Sequence, residues 1–202
     1  MSFVIYLWGG VDMGRATKAQ AQEHREQLIA AASQLFRERG VDNVSVPELM
    51  AAIGMTHGGF YRHFSSKEEL AAVACAHAFA EQVQGLQEFA RTAEDPEQAF
   101  IDFYLSDPHR SDVANGCPLA SLSGDIARID ADSQARASFV AGVRAFADGV
   151  EALDGDGTPE HRARSLARLS MLMGALALSR ATEGDPISDE FIAAVRSALA
   201  GE

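Results

Sequence analysis

The sequence predicts an all-α protein, a small N-terminal three-helix unit followed by a larger helical domain. Good helix formers (Ala, Leu, Arg, Glu and Gln) dominate the 202 residues. Val, Ile and Thr form no alternating run of strand period. Stretches with apolar residues at helical spacing are separated by Gly, Pro, Asp and Asn, the residues that punctuate helix ends. Hydrophobic residues make up 47% of the chain, enough for a substantial buried core.

Residues 1–17 read as a disordered or mis-started arm. Met1–Gly14 is apolar but lacks the basic stretch of a signal peptide, and Met13 opens a more ordinary start. The first helix runs from Lys18 to Arg39, with Leu28, Ile29, Ala32, Leu35 and Phe36 at helical spacing and Gly40 as its stop. Ser45 and Glu48 form a capping box that opens a second helix, Val46–Ile53; Pro47 sits harmlessly in its first turn and Gly54 ends it. Thr56 caps a third, His57–Phe64. The adjacent Gly58 and Gly59 each cost that helix roughly 1 kcal/mol, so their presence points to close backbone approach by a partner.

Ser66 and Glu69 form a second capping box, and a long helix follows to about Arg91. The next begins at Asp95–Pro96 and ends near Ser106–Asp107–Pro108. Asn115–Gly116–Cys117 is a break before a helix from Pro118. Ala131–Leu153 is long, with Phe139, Val143, Phe146 and Val150 on one face, and Asp154–Pro159 is a loop. Glu160–Ala181 and Asp189–Leu199 complete the chain. The expected domains are 18–65 and 66–202.

The net charge of −12 is unevenly distributed: residues 15–75 are balanced and residues 76–202 carry the acidity. Such a body repels DNA except where a local basic face docks, which excludes indiscriminate nucleic-acid binding but not a positioned motif. Cys75 and Cys117 have neither zinc-site nor redox-pair spacing. The six histidines are scattered, and none pairs with a carboxylate motif. With no Ser/His/Asp arrangement, phosphate loop or metal cluster, we expect no enzyme, no cofactor and no metal. The apolar run Leu169–Ala181 is too short to span a bilayer, so no membrane association is expected and the location is cytoplasmic.

Two short helices joined at Gly54 over residues 45–64 have helix-turn-helix spacing. The run from Leu28 to Leu70 closely resembles the DNA-binding domain of the TetR family of regulators. The matching features are Ala32, Leu35, Phe36 and Gly40 at the first-helix end, the Ser45–Val46 start, Ala52–Ile53–Gly54, and above all Gly59-Phe60-Tyr61-Arg62-His63-Phe64 followed by Ser66-Lys67-Glu68-Glu69-Leu70. The match covers roughly a quarter of the chain. The resemblance implies phosphate contacts from Ser45, Thr56, Tyr61 and Lys67, base reading by His57, Gly58 and Arg62, close approach at Gly59, and a backbone role for His63. Phe36, Phe60 and Phe64 are core.

In the larger domain, Phe100, Phe103, Tyr104, Cys117, Phe139 and Met173 are the candidates to line an effector pocket. Cys117 stands near a helix N-terminus, a position that lowers a thiol's pKa and suits a sensor of oxidants or electrophiles. The bland alternative is a packed thiol, and Cys75 is expected to be one. Leu169, Leu172, Leu176, Phe191, Ile192 and Val195 suit an intersubunit four-helix bundle, because the family dimerises through its last two helices. The resulting expectation is a TetR-like repressor that binds palindromic operator DNA as a homodimer and is released by a small molecule, with an activator or a thiol-based redox sensor on the same fold as the alternatives.

Overall fold

The computed structural model describes residues 13–155 and 157–200; residues 1–12 of the expected arm lie outside them. Nine α-helices and one 3₁₀ helix account for the ordered elements among the described residues, and there is no strand. They are α1 (Met13–Arg39), α2 (Val46–Ala52), the 3₁₀ helix His57–Arg62, α3 (Lys67–Thr92), α4 (Pro96–Tyr104), α5 (Asp107–Ser111), α6 (Pro118–Ile126), α7 (Gln134–Glu151), α8 (Pro159–Ala181) and α9 (Ile187–Leu199).

Caps explain most of the starts. The Ser45 hydroxyl accepts the Glu48 N–H at 3.4 Å while the Glu48 carboxylate accepts the Ser45 N–H at 2.8 Å, a complete capping box. Asp95, Ser106, Ser133 and Thr158 accept backbone N–H groups at the starts of α4, α5, α7 and α8. The second expected box is corrected. Ser66 does accept the Glu69 N–H at 3.1 Å, but the Glu69 carboxylate takes the N–H and hydroxyl of Ser65 instead, at 2.7 and 2.6 Å. The third helix is also corrected: it is a 3₁₀ turn, not an α-helix. Two glycines in six residues weaken the α form, and the i to i−3 bonds Gly59 N–H to Thr56 O and His63 N–H to Phe60 O, both 2.9 Å, close it instead. The five-residue α5 falls where the sequence reading ended a helix.

The long α3 joins the two parts of the molecule. Its start packs on α1, and its body runs along α7. The α3–α7 approach is close enough that a Cβ at Gly142 would overlap the Phe79 ring. Helices α8 and α9 pack on each other, and α6 lies between α1 and α8. One apolar core runs from Leu28, Phe36, Leu49, Phe60 and Phe64 through Leu70 and Cys75 to Phe100, Phe146, Leu172 and Leu176.

Candidate nucleic-acid interface

The turn after α2 depends on Gly54, whose φ of +68° lies in the left-handed region that disfavours a side chain. It delivers the 3₁₀ helix with Phe60 fully buried and Tyr61 turned outward, 65% exposed. Phe60 and Phe64 anchor this segment as core, with their ring centroids 6.1 Å apart. Tyr61 stands edge-on to Phe60 at 5.2 Å and to His57 at 6.3 Å, so the phenol is held by ring contacts while most of its surface stays in solvent.

Thr56, His57, Gly58, Tyr61 and Arg62 are exposed together. The Thr56 hydroxyl makes no cap bond. A Cβ at Gly58 would meet nothing within 4 Å, so nothing in the chain's own packing demands glycine there. Gly59 is different and corrects the expectation: a Cβ there would lie 3.2 Å from the terminal methyls of both Met50 and Met55, so this glycine serves the interior. Ser45 is exposed, but its hydroxyl donates to Glu48 at 2.6 Å. Those bonds from the Ser45 hydroxyl and N–H, aided by Arg39, pull the Glu48 carboxyl down to about 2. Lys67, half-buried, borders a cleft shared with Asp42, Asp125 and Arg128 at the junction with α6.

The sequence profile of "Bacterial regulatory proteins, tetR family" matches residues 28–74. An uncharacterized HTH-type transcriptional regulator of Mycobacterium tuberculosis is 30% identical over 167 residues, covering 79% of this chain and 85% of that protein. The chain belongs to the TetR family. A more local likeness is to the HTH-type transcriptional regulator AcrR of Shigella flexneri, 41% identical over 58 residues, which span 29% of this chain and only 27% of AcrR. A TetR transcriptional regulator from Chloroflexus aurantiacus shares the fold at a TM-score of 0.72 and 25% identity, covering 90% of this chain and 96% of that one. TetR membership makes the chain a transcriptional regulator and the outward segment part of a helix-turn-helix.

The other expected site residues of this TetR-family chain divide. Phe100, Tyr104 and Cys117 are buried together, while Phe103 is 46% exposed and stacks on His109, with ring centroids 5.1 Å apart. Tyr104 stands edge-on to the same imidazole at 4.8 Å. Phe139 lies elsewhere, against Phe79, and Met173 is half-buried on α8. None of these six lines the open cleft of ≈ 830 Å³ that runs between α5 and the α8–α9 link, past Arg110, Ser179 and Arg180.

Sequence reasoning missed His109 and Arg180, whose partners come from distant segments. His109 Nδ1 bonds the Tyr104 carbonyl at 2.8 Å, and Arg180 donates to the carbonyls of Arg110 and His109 at 2.9 and 2.7 Å. Tyr104 Oη, His109 Nε2 and Arg180 Nη1 are buried with no hydrogen-bond partner among the described residues. The Tyr104 hydroxyl is near enough to Cys117 for each to affect the other's ionisation, yet their geometry falls short of a hydrogen bond. Of the two readings of Cys117, the lowered pKa that a sensor needs is absent and the packed thiol fits. Burial pushes the pKa up, outweighing Tyr104 and the N–H groups of Ala120 and Leu119 at the start of α6. Burial likewise lifts Cys75 to about 12.

The dimer residues need a similar correction. Leu169, Leu172, Leu176 and Ile192 face the chain's own core, while Phe191 and Val195 are half-buried. The outward stripe of α8 is Leu166, Ser170, Gly174 and Leu178, four residues apart, and a Cβ at Gly174 would meet nothing. The histidine expectation is also corrected: His161 Nε2 lies 3.1 Å from Asp154 and 3.1 Å from Ser165. Both partners address the same nitrogen, so the group lacks the two-sided relay of a hydrolase triad. No described helix is long and apolar enough to cross a membrane.

Proposed function

We propose that this chain is a cytoplasmic, ligand-responsive repressor that binds palindromic operator DNA as a homodimer and leaves it when a small molecule binds the larger domain. The observation that carries the reading is the outward face of the 3₁₀ helix, where Tyr61 and Arg62 project beside a bare Gly58. A glycine backbone approaches the groove floor closely, Arg62 has the donors to address guanine, and Tyr61 with Thr56 reaches phosphate. His57 stands beside them for base contact. Lys67 and the Ser45 hydroxyl are weaker candidates, because one borders the domain junction and the other serves Glu48.

Two copies joined along the α8–α9 face present two such segments to successive major grooves. The small Gly174 between Leu166 and Leu178 suits close helix approach across that face. Release runs through α6 as well as α3. Arg37 of α1 donates to the Gly116 carbonyl at 3.2 Å, and the Val41 N–H bonds Asp125 at 3.2 Å, so both ends of α6 hold the DNA-binding part. An effector shifts this equilibrium only through unequal affinity for the two arrangements. The unpaired polar atoms of Tyr104, His109 and Arg180 favour an effector with hydrogen-bonding groups over an oxidant or electrophile, since the Cys117 thiol is fully buried and held protonated.

The test is a gel-shift titration on the DNA flanking the chain's own gene. Wild type binds a discrete site. Arg62→Ala loses about 1–3 kcal/mol of discrimination with unchanged helicity. Equal binding by Arg62→Ala and wild type contradicts the reading. A promoter reporter then separates roles: deletion of the gene raises expression for a repressor and lowers it for an activator.

A further inference from the structure

The first helix brings a second histidine to the end of the recognition segment. His24 of α1 and His63 stand edge-on, ring centroids 6.4 Å apart at 86°, each half-buried. His63 caps the segment directly after Arg62, with its N–H on the Phe60 carbonyl at 2.9 Å, so its position is fixed by the same turn that presents Tyr61. Arg25, next to His24, lies with its guanidinium carbon 4.7 Å from the Phe64 ring centroid.

Two elements bring cationic groups to this pair and a third brings a carboxylate. From α1 come His24 and Arg25, and from the recognition segment Arg62. From α3 comes Glu69, whose carboxylate also feels Arg25 but is engaged by Ser65. Among the described residues the imidazoles with a carboxylate within 4.0 Å are His77 and His161, not His24 or His63. Burial first, then His24, Arg25 and Arg62, lower the His63 pKa. This imidazole pair beside two arginines has no carboxylate within 4.0 Å among the described residues, so a phosphate docked on this face would be its first anion.

We propose that His24 and His63 form a proton-taking clamp on the phosphate backbone beside the recognition segment, so that DNA binding takes up protons. The inference rests on the DNA-binding reading above and adds His24 and α1 to the contact surface. The sign follows from linkage. A nearby phosphate favours the charged form of an imidazole, so the His63 pKa is higher in the complex than in the free protein. Affinity therefore rises as pH falls from above the bound-state value to the free-state value, and is flat outside that window. Each imidazolium also steepens the salt dependence by about 0.9 in log–log slope.

The test uses a duplex of about 30 base pairs, long enough for two half-sites, enriched from a random library by the full chain at about pH 7.5. Affinity is then measured near pH 6 and pH 8 at constant ionic strength, and heats of binding are compared in two buffers of different ionisation enthalpy. Wild type is expected to bind about three- to tenfold tighter at the lower pH, as shifts that sum to about half to one pKa unit over the imidazoles of the complex require, with net proton uptake. His24→Gln and His63→Gln each lose part of that gain, and the double variant loses it. His77→Gln, on α3 beside Glu81 and outside the recognition segment, keeps it. Equal affinity at both pH values, or a gain that survives in the double variant, overturns the clamp while leaving DNA binding standing. Failure to enrich any duplex overturns the DNA-binding reading and the clamp with it.

Discussion

Gly142 shows how one missing methyl group sets the distance between α3 and α7, the most extensively packed pair of helices in the fold. A Cβ there would overlap the Phe79 ring, which packs edge-on against Phe139, so the ring would have to shift. Gly142→Ala is expected to lower stability by about 1–3 kcal/mol through overpacking, read as a fall in Tm by thermal unfolding, whereas Gly58→Ala, facing open space, leaves Tm nearly unchanged. Cys117 belongs to the same scale. Its sequence position beside a proline-led helix start was legible, but its burial was not, because the residues that cover it come from elsewhere in the chain. The fully buried Cys117 thiol and the buried Cys75 thiol predict that iodoacetamide near pH 8 labels neither cysteine in the native chain and both after unfolding in urea. Rapid native labelling of Cys117 would restore the thiol-sensor reading.

At the scale of elements, local chemistry was readable and tertiary partners were not. The Ser45–Glu48 box, the Gly40 and Gly54 stops and the long α3 all follow from residues close in sequence. The second box failed because Ser65, one residue upstream, competes successfully for Glu69. The short α5 escaped because five residues carry too little periodicity. Gly58 and Gly59 read alike in sequence, yet one faces solvent and the other Met50 and Met55, a difference that appears only once the segment packs.

The Ser45–Glu48 box also carries a pH prediction. Glu48 is depressed from 4.5 to about 2, so its contribution to stability is present above its unfolded-state value of 4.5 and is lost as pH falls through about 2. Ser45→Ala, which removes the cap, is expected to cost about 1 kcal/mol near neutral pH. It should also raise the midpoint of acid unfolding followed by circular dichroism; an unchanged midpoint would mean the box contributes nothing.

For the molecule as a whole, the fold couples its two parts through α3 and through bonds that include Gln34–Asn115, Arg37–Glu81, Arg37–Gly116 and Val41–Asp125. Gly40, with φ +80°, brings that last contact so close that a Cβ would lie 2.7 Å from the Asp125 carboxylate. The proposed dimer surface is the least legible feature, because a helix hydrophobic on much of its circumference does not say which stripe its own core takes. The core takes Leu169, Leu172 and Leu176, leaving Leu166, Gly174 and Leu178 outside. Leu178→Glu is therefore expected to shift sedimentation from two copies toward one with little loss of helicity, while Leu172→Glu, aimed into the core, unfolds the chain. A dimer unaffected by Leu178→Glu would place the interface elsewhere.

The measurement that bears most directly on the account is hydroxyl-radical footprinting of the full chain on an enriched duplex, repeated with Tyr61→Phe and Arg62→Ala. We predict two protected patches related by two-fold symmetry, their centres about 34–36 Å apart or at a multiple of that spacing. Both patches should weaken together in either variant. A single unsymmetrical patch, or protection that survives both substitutions intact, would contradict the claim that this face of the helix-turn-helix enters DNA twice per dimer.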